Sequence, residues 1–226
     1  MRITVFDCAL GIKAIYKNED FENFQLMQGF YDPKNSAVGD AAYSIGVYKY
    51  LPNPDTFMLS IRGSAKSFTT KDWTDDDASI GLGRLPDRTN DSQDYTRKIV
   101  RLYRQLYEDP FIIIVGHSLG GFIAQYLGVV CSLPFITFNA PPALRAFGGK
   151  FPDGTQARNF KLGLNFRVNY DPVSKAPGKH VGPLVTLPLG GQKHAGAHKA
   201  GAVVESCSQA GYRDRSAEGE IARRNG

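Results

Sequence analysis

The chain has 226 residues, of which 42% are hydrophobic and 22% are charged. These proportions are near those of soluble globular proteins and exclude a disordered or collagen-like chain. Its 27 basic and 22 acidic residues leave a formal charge of +5, without a block of like charges. The sequence contains no apolar run of about 18 residues, so a membrane-spanning helix is not expected.

The N-terminal residues and the cysteines bear on the cellular compartment. Residues 1–7 carry charge within their short apolar stretch and lack a small-residue cleavage site, so they do not resemble a signal peptide. The cysteines, Cys8, Cys131 and Cys207, are too few and too scattered for a disulfide framework. A reducing compartment fits this usage. A cytoplasmic location and export by a signal-independent route both stay open.

The first clear elements in chain order are a β-hairpin and a helix. Alternating polar and apolar residues over 43–50 predict a strand, and residues 56–62, beyond a turn with two prolines, predict its hairpin partner. Apolar residues recur at helical spacing over 95–106. A polar cluster at 90–92 precedes this predicted helix and Pro110 follows it.

The second half of the chain alternates apolar runs with a helical pattern. Residues 111–115 are apolar without alternation, which is typical of a strand buried on both faces of a parallel sheet. A helix is predicted over 121–131, and further strands over 135–138 and 164–169. This order predicts an α/β protein with a mostly parallel central sheet flanked by helices, and with an N-terminal antiparallel hairpin.

Domain organisation is predicted from the evenness of the composition. No low-complexity linker or shift in composition divides the chain. We therefore expect a single domain over residues 1–212. Residues 213–226 are rich in charge, and we expect them to form a loose C-terminal tail.

The most specific motif is the run Gly-His-Ser-Leu-Gly-Gly at residues 116–121, between a buried strand and a helix. A glycine-x-serine-x-glycine motif in this context predicts a nucleophile elbow, whose strained turn exposes the serine hydroxyl at the edge of the sheet. Ser118 is then the nucleophile, and the backbone N–H of Leu119 an oxyanion donor. His117 lies on the wrong side to act as its base and is expected to be structural. The alternative is a glycine-rich turn whose serine only caps the helix.

Several ordered blocks resemble the class 3 lipases of the α/β-hydrolase fold. The blocks are residues 60–64 with Asp72-Trp73 downstream, the elbow at 116–121, residues 137–141, and residues 168–173 with Pro177 beyond. Together they cover most of the chain from about residue 39 to residue 205. The resemblance implies the α/β-hydrolase fold and a serine esterase or lipase activity.

A serine nucleophile needs a base, and the base needs an acid that orients it. In α/β-hydrolases the chain order is serine, acid, histidine. Asp171 follows a predicted strand, at the edge where an α/β sheet places its site, and it matches the acid position of the family. Asp153 is the alternative acid, although its Pro-Asp-Gly context is typical of an ordinary turn.

Three histidines follow the nucleophile and are candidates for the base: His180, His194 and His198. The family places its base at the start of a short helix, and His198 resembles that residue because residues 199–204 can form such a helix. His194 and His180 remain alternatives.

The resemblance also implies a second oxyanion donor. This is Ser64, through its backbone N–H, with Arg62 holding the loop after the hairpin. Trp73 is expected to pack that loop against the rest of the domain. Residues 65–71 are short and polar, so a fully developed lipid-activated lid is not expected.

No cofactor and no metal ion are expected. The pair His194 and His198 lacks a third zinc ligand with fitting spacing, and residues 75–77 lack the calcium-loop pattern. Residues 81–83 do not complete a dinucleotide fingerprint. Nothing in the sequence indicates nucleic-acid binding. The expected partner is a lipid or another small-molecule ester, with transient contact to an anionic membrane surface as a further expectation.

The sequence thus predicts a serine hydrolase that cleaves carboxylic esters of lipid-like substrates through an acyl-enzyme on Ser118. An acylglycerol lipase and a phospholipase both fit. The alternatives are an esterase for small soluble esters and a non-catalytic binding protein on a hydrolase scaffold.

Overall fold

The computed structural model of the chain describes residues 2–31, 44–64, 85, 88–148, 161–191 and 196–226. These residues form five α-helices: α1 (Val5–Ala14), α2 (Arg88–Leu106), α3 (Leu119–Cys131), α4 (Ala200–Gln209) and α5 (Ala217–Asn225). They also form seven strands: β1 (Phe24–Phe30), β2 (Ile45–Tyr50), β3 (Thr56–Ile61), β4 (Phe111–His117), β5 (Phe135–Phe138), β6 (Gly163–Val168) and β7 (Leu184–Leu187). Two short 3₁₀ helices span Leu144–Phe147 and Val173–Lys175.

The seven strands form one sheet in the order β1-β2-β3-β4-β5-β6-β7. Strands β1, β2 and β3 pair antiparallel, and strands β3 to β7 pair parallel. The predicted α/β class, the mostly parallel sheet and the N-terminal hairpin of β2 and β3 are confirmed. Strand β1, which the sequence analysis did not predict, extends that hairpin on its outer side.

The sheet is buried on both faces by helices. Along β4, Ile113 and Val115 lie in the core formed with α1, α4 and α5, whereas Ile112 and Ile114 lie in the core formed with α2 and α3. Both faces of β4 therefore need apolar side chains, which explains why its sequence shows no polar alternation. The site described below lies where the parallel strands end.

Helix α1 was not predicted, although its sequence carries a start signal. The Thr4 hydroxyl accepts a hydrogen bond from the Asp7 backbone N–H at 3.0 Å, and Asp7 Oδ2 accepts one from the Thr4 backbone N–H at 2.8 Å. This reciprocal pair is a capping box. Helix α2 begins at Arg88, so the polar cluster at 90–92 lies within its first turns rather than before it.

The expectation of a loose tail over residues 213–226 is wrong. Helix α5 occupies most of this segment, with Ala217 and Ile221 buried in the core. The Glu220 carboxylate is also buried and accepts a hydrogen bond from Arg223 at 2.7 Å. Arg215, Arg223 and Arg224 form ion pairs with the Glu220 carboxylate, so its charge is compensated where the helix packs on the core. The charged composition of the segment does not reveal this pairing. A single domain for the chain stays a prediction.

No helix among the described residues is long and apolar enough to cross a membrane.

Candidate active site

Ser118 lies in a strained turn between β4 and α3. Its backbone has φ 56° and ψ −129°, a left-handed conformation that is costly for a residue with a side chain. The Ser118 N–H donates to the Phe138 carbonyl at 3.1 Å, and its own carbonyl accepts from the Phe122 N–H at 3.2 Å. The turn is therefore fixed to β5 on one side and to the first turn of α3 on the other.

Glycines allow the strand and the helix of this turn to approach closely. A Cβ atom on Gly116 would lie 2.3 Å from the Gly120 carbonyl oxygen, and a Cβ atom on Gly120 would lie 2.3 Å from the Ile61 carbonyl oxygen. Both contacts are with backbone atoms that cannot swing away. The glycines that flank Ser118 at these positions are thus required by packing, as a nucleophile elbow predicts.

Ser118, His198 and Asp171 form a hydrogen-bonded chain. Ser118 Oγ lies 2.8 Å from His198 Nε2, and His198 Nδ1 lies 2.6 Å from Asp171 Oδ1. The Ser118 residue is 4% exposed, which differs from the exposed hydroxyl expected of an elbow because the imidazole of His198 lies against it. The arrangement can pass a proton from the serine hydroxyl to an imidazole whose other nitrogen faces a carboxylate.

Asp171 is held at the carboxyl end of β6. Its backbone N–H donates to the Val168 carbonyl at 3.1 Å, and its Oδ2 accepts from the Ser174 backbone N–H at 2.8 Å. Burial by itself raises the pKa of the Asp171 carboxyl, but the hydrogen bonds from His198 and Ser174 outweigh burial and leave this pKa below its ordinary value. The carboxylate is therefore ionised at neutral pH.

His198 comes from a loop that two side chains of the sheet edge hold in place. The Asn139 side-chain amide donates to the Ala197 carbonyl at 2.8 Å, while its oxygen accepts from the Val168 N–H at 2.8 Å. The next carbonyl, that of His198, lies 2.7 Å from His117 Nε2. Helix α4 begins two residues after His198, in agreement with the helix expected there.

His117 is buried in the structure, as a structural role for it requires. Its Nδ1 lies 2.9 Å from the Tyr16 hydroxyl. Burial, together with a smaller effect of the nearby His198 imidazole, lowers the pKa of His117 to about 3. Sequence reasoning missed Tyr16, for which the sequence carries no local signal. It also missed Asn139 as a support of the loop, although residues 137–141 form one of the blocks that resemble the lipases.

The structure describes one of the three alternative catalytic residues, His180. No hydrogen bond links the His180 ring to Ser118 or Asp171 in the described part of the chain, and burial lowers the pKa of His180 to about 4. His180 is thus not joined to Ser118. The alternative base His194 and the alternative acid Asp153 lie outside the described residues.

The segment after β3 approaches the elbow closely. A Cβ atom on Gly63 would lie 3.0 Å from Ser118 Cβ and 2.9 Å from the His117 carbonyl oxygen. Ser64, the next residue, is half-buried, and Leu119 opens α3. Leu119 thus follows Ser118 directly in the chain, and Ser64 follows a glycine whose backbone lies against Ser118. Arg62 is buried, and its backbone N–H donates to the Ser44 carbonyl at 3.0 Å.

The described residues contain no group of three or more histidine, cysteine, aspartate or glutamate side chains that could hold a metal ion. The other segments named in the sequence analysis lie outside the described residues: residues 65–71, Trp73, residues 75–77 and residues 81–83.

Comparisons by sequence give two partial matches. The model of a family described as "Uncharacterised protein family (UPF0227)" matches residues 60–151. Over 94 residues the chain is 35% identical to a protein of Penicillium rubens named "Putative lipase atg15". That match covers 37% of this chain and 14% of the relative, so it leaves most of the relative's length unmatched.

Comparisons by structure cover most of the chain. The lipase of Rhizopus microsporus var. chinensis superposes with a TM-score of 0.56 at 15% identity, over 84% of this chain and 76% of that one. Lipase II from Rhizopus niveus gives a TM-score of 0.51 at 14% identity, over 81% and 79%. A triacylglycerol lipase from Penicillium expansum gives 0.50 at 16% identity, over 92% and 87%. The chain therefore has the α/β-hydrolase fold, and the resemblance to the class 3 lipases predicted from its sequence blocks is confirmed.

Proposed function

We propose that this protein is a serine hydrolase that cleaves carboxylic esters through an acyl-enzyme on Ser118. The observation that carries the proposal is the hydrogen-bonded chain from Ser118 Oγ to His198 Nε2, at 2.8 Å, and from His198 Nδ1 to Asp171 Oδ1, at 2.6 Å. The lipase fold and the partial match to a putative lipase support ester hydrolysis as the class of reaction.

In the proposed mechanism His198 Nε2 takes the hydroxyl proton as Ser118 Oγ attacks the ester carbonyl carbon. The negative charge that develops on the carbonyl oxygen is stabilised by the backbone N–H groups of Leu119 and Ser64. His198 then gives its proton to the departing alcohol, which leaves an acyl group on the serine. Water, deprotonated by the same imidazole, attacks the acyl carbon. The bond from this carbon to Ser118 Oγ then breaks, His198 returns the proton to Oγ, and the acid is released.

Asp171 has two tasks in this cycle. Its carboxylate holds the proton of His198 on Nδ1, so that Nε2 faces Ser118 with a free electron pair. It also stabilises the imidazolium that forms when His198 takes up the serine proton. Both tasks require the ionised carboxylate, which the lowered pKa of Asp171 provides at neutral pH.

For the substrate we propose a lipid-like ester, either an acylglycerol or a phospholipid. The lipases that share the fold support this class, and the net charge of +5 favours contact with anionic lipid surfaces. The bound lipid is thus the proposed small-molecule partner, and a transient contact with the membrane surface would deliver it. The alternative to be tested is that the protein cleaves only small soluble esters.

Two experiments test the proposal. A fluorophosphonate probe should label the wild-type protein with one group per chain and should leave Ser118→Ala unlabelled. p-Nitrophenyl esters of increasing acyl length, assayed beside acylglycerol emulsions and phospholipid vesicles, should show turnover that rises with chain length. Labelling with turnover of only the shortest esters would indicate an esterase for soluble substrates. Absence of both labelling and turnover would indicate a binding protein on a hydrolase scaffold.

A further inference from the structure

Two histidines meet behind the proposed nucleophile. His117 Nε2 lies 2.7 Å from the carbonyl oxygen of His198, and the two rings have centroids 5.0 Å apart. A carbonyl oxygen can only accept a hydrogen bond, so Nε2 of His117 must carry the proton. The tautomer of this buried imidazole is therefore fixed by its partner.

The other ring nitrogen of His117 has a matching partner. In the neutral ring with a proton on Nε2, Nδ1 is an acceptor. The Tyr16 hydroxyl, 2.9 Å away, is then the donor to Nδ1. The lowered pKa of His117, to about 3, agrees with a ring that stays neutral at any pH at which the protein is expected to work.

We propose that His117, held in this tautomer by Tyr16, is a positioning residue for His198. It ties the carbonyl of the base to the turn that carries the nucleophile, because His117 and Ser118 are consecutive residues. His198 lies 80 residues further along the chain, so no local geometry fixes its distance from Ser118. This inference rests on the proposed hydrolase function and deepens it.

The neutral state of His117 suits this role. In the proposed reaction His198 becomes an imidazolium, and a second cation with its centroid 5.0 Å away would oppose that charge. A neutral N–H donor holds the loop without this penalty. Tyr16 contributes by satisfying Nδ1, which would otherwise be a buried acceptor without a partner.

Two substitutions separate positioning from mere packing. The side-chain amide nitrogen of a glutamine reaches the place of Nε2, so His117→Gln keeps the donor to the His198 carbonyl. An asparagine reaches only the place of Nδ1, so His117→Asn keeps a group near Tyr16 and loses that donor. We expect His117→Asn to lower kcat about a hundredfold with little change in KM. His117→Gln should keep kcat near the wild-type value, and Tyr16→Phe should cause a smaller loss than His117→Asn.

His180→Gln is the matched control, because it replaces a half-buried histidine that is not hydrogen-bonded to Ser118. It should lower kcat far less than His117→Asn does. Equal losses of kcat in His117→Gln and His117→Asn, or wild-type kcat in both, would overturn the proposal. Thermal unfolding of each variant shows whether a loss of kcat reflects a loss of fold.

A spectroscopic test needs no turnover and no variant. In protein labelled with ¹⁵N-histidine, long-range ¹H–¹⁵N correlations should show His117 as a neutral ring protonated on Nε2 between pH 5 and pH 8. A ring protonated on Nδ1 would overturn the proposal even if His117→Asn fails to fold. If this tautomer is found and His117→Asn shifts the ring signals of His198, but no ester is cleaved, the hydrolase function fails while the positioning contact stands.

Discussion

The backbone N–H of Ser174 donates a hydrogen bond to Oδ2 of Asp171, 2.8 Å away. This contact leaves the other carboxylate oxygen, Oδ1, facing His198 Nδ1 at 2.6 Å. Because an N–H group requires an acceptor, an asparagine at position 171 would turn its carbonyl oxygen to Ser174. Its NH₂ group would then face His198, and the imidazole would have to accept on Nδ1 and carry its proton on Nε2.

The first prediction follows from this orientation. Asp171→Asn should hold His198 in the tautomer that cannot accept a proton from Ser118, and kcat should fall on the order of 10⁴-fold with little change in KM. Steady-state kinetics on a soluble ester measure both constants. Asp153→Asn is the comparison, since Asp153 is the alternative acid. If Asp171→Asn keeps most of the wild-type rate and Asp153→Asn does not, the acid has been misassigned.

Ser118→Ala should abolish ester hydrolysis and leave the fold intact. The change removes one oxygen and creates no cavity large enough to weaken the core, whereas loss of such a nucleophile lowers kcat on the order of 10⁴- to 10⁶-fold. Turnover and the thermal unfolding midpoint should be measured on the same preparation. Near-normal turnover in this variant would mean that another group attacks the ester.

A third prediction separates the histidines. His198→Ala should approach the loss seen for Ser118→Ala, because it removes the group 2.8 Å from Ser118 Oγ. His180→Ala should change the rate far less. His194→Ala completes the set of kcat measurements. An inactive His194→Ala beside an active His198→Ala would reverse the assignment of the base.

Acid should destabilise the fold through the two histidines with lowered pKa values. In the unfolded chain an imidazole takes up a proton below pH of about 6.5, but His117 stays neutral to about pH 3 and His180 to about pH 4. The unfolded state then binds more protons, so the free energy of unfolding falls as the pH drops through this window. The slope is at most about 1.4 kcal/mol per pH unit for each histidine.

Urea unfolding between pH 7 and pH 4.5 measures this slope. His117→Gln and His180→Gln should each reduce it, because glutamine does not titrate. A slope that neither substitution alters would show that other groups control the acid sensitivity. The carboxyl groups of Asp171 and Glu220, whose pKa values are also lowered, add to the slope only below about pH 5. They are present in every variant, so the difference in slope between a variant and the wild type reports the substituted histidine.

The close approach of the segment after β3 gives a fifth prediction. In Gly63→Ala the new Cβ would lie 2.7 Å from the Tyr16 hydroxyl and 2.9 Å from the His117 carbonyl oxygen. The segment must move away from the elbow, so we expect kcat to fall by about tenfold or more. Gly201→Ala is the control, because its Cβ meets nothing within 4 Å. Equal kcat values for both variants would contradict the close approach.

The sequence predicts the elements whose signals are local. Strand β5 was predicted with the bounds that the structure gives, because its apolar run is short and its neighbours are helix and turn. The meeting of Ser118, Asp171 and His198 was predicted from chain order and family blocks, and the structure places them within hydrogen-bonding distance. Their roles in catalysis stay a prediction.

The features that could not be predicted from the sequence are contacts between distant parts of the chain. Tyr16 and His117 are 101 residues apart, and Asn139 and Ala197 are 58 residues apart. Hydrogen bonds of this kind leave no spacing pattern in one sequence. Helix α5 was missed for a related reason: its buried face exists only because Ala217 and Ile221 meet the core.

The order of the strands has a consequence for biosynthesis. Each strand pairs with the strand that precedes it in the chain, so a chain made from its N-terminus can add one strand at a time to an existing edge. The elbow is complete once Phe138 accepts the hydrogen bond of Ser118, but His198 emerges only after β7. A nascent chain halted after β5 would contain every residue of the elbow but neither Asp171 nor His198, and so could not form the hydrogen-bonded chain that activates the serine.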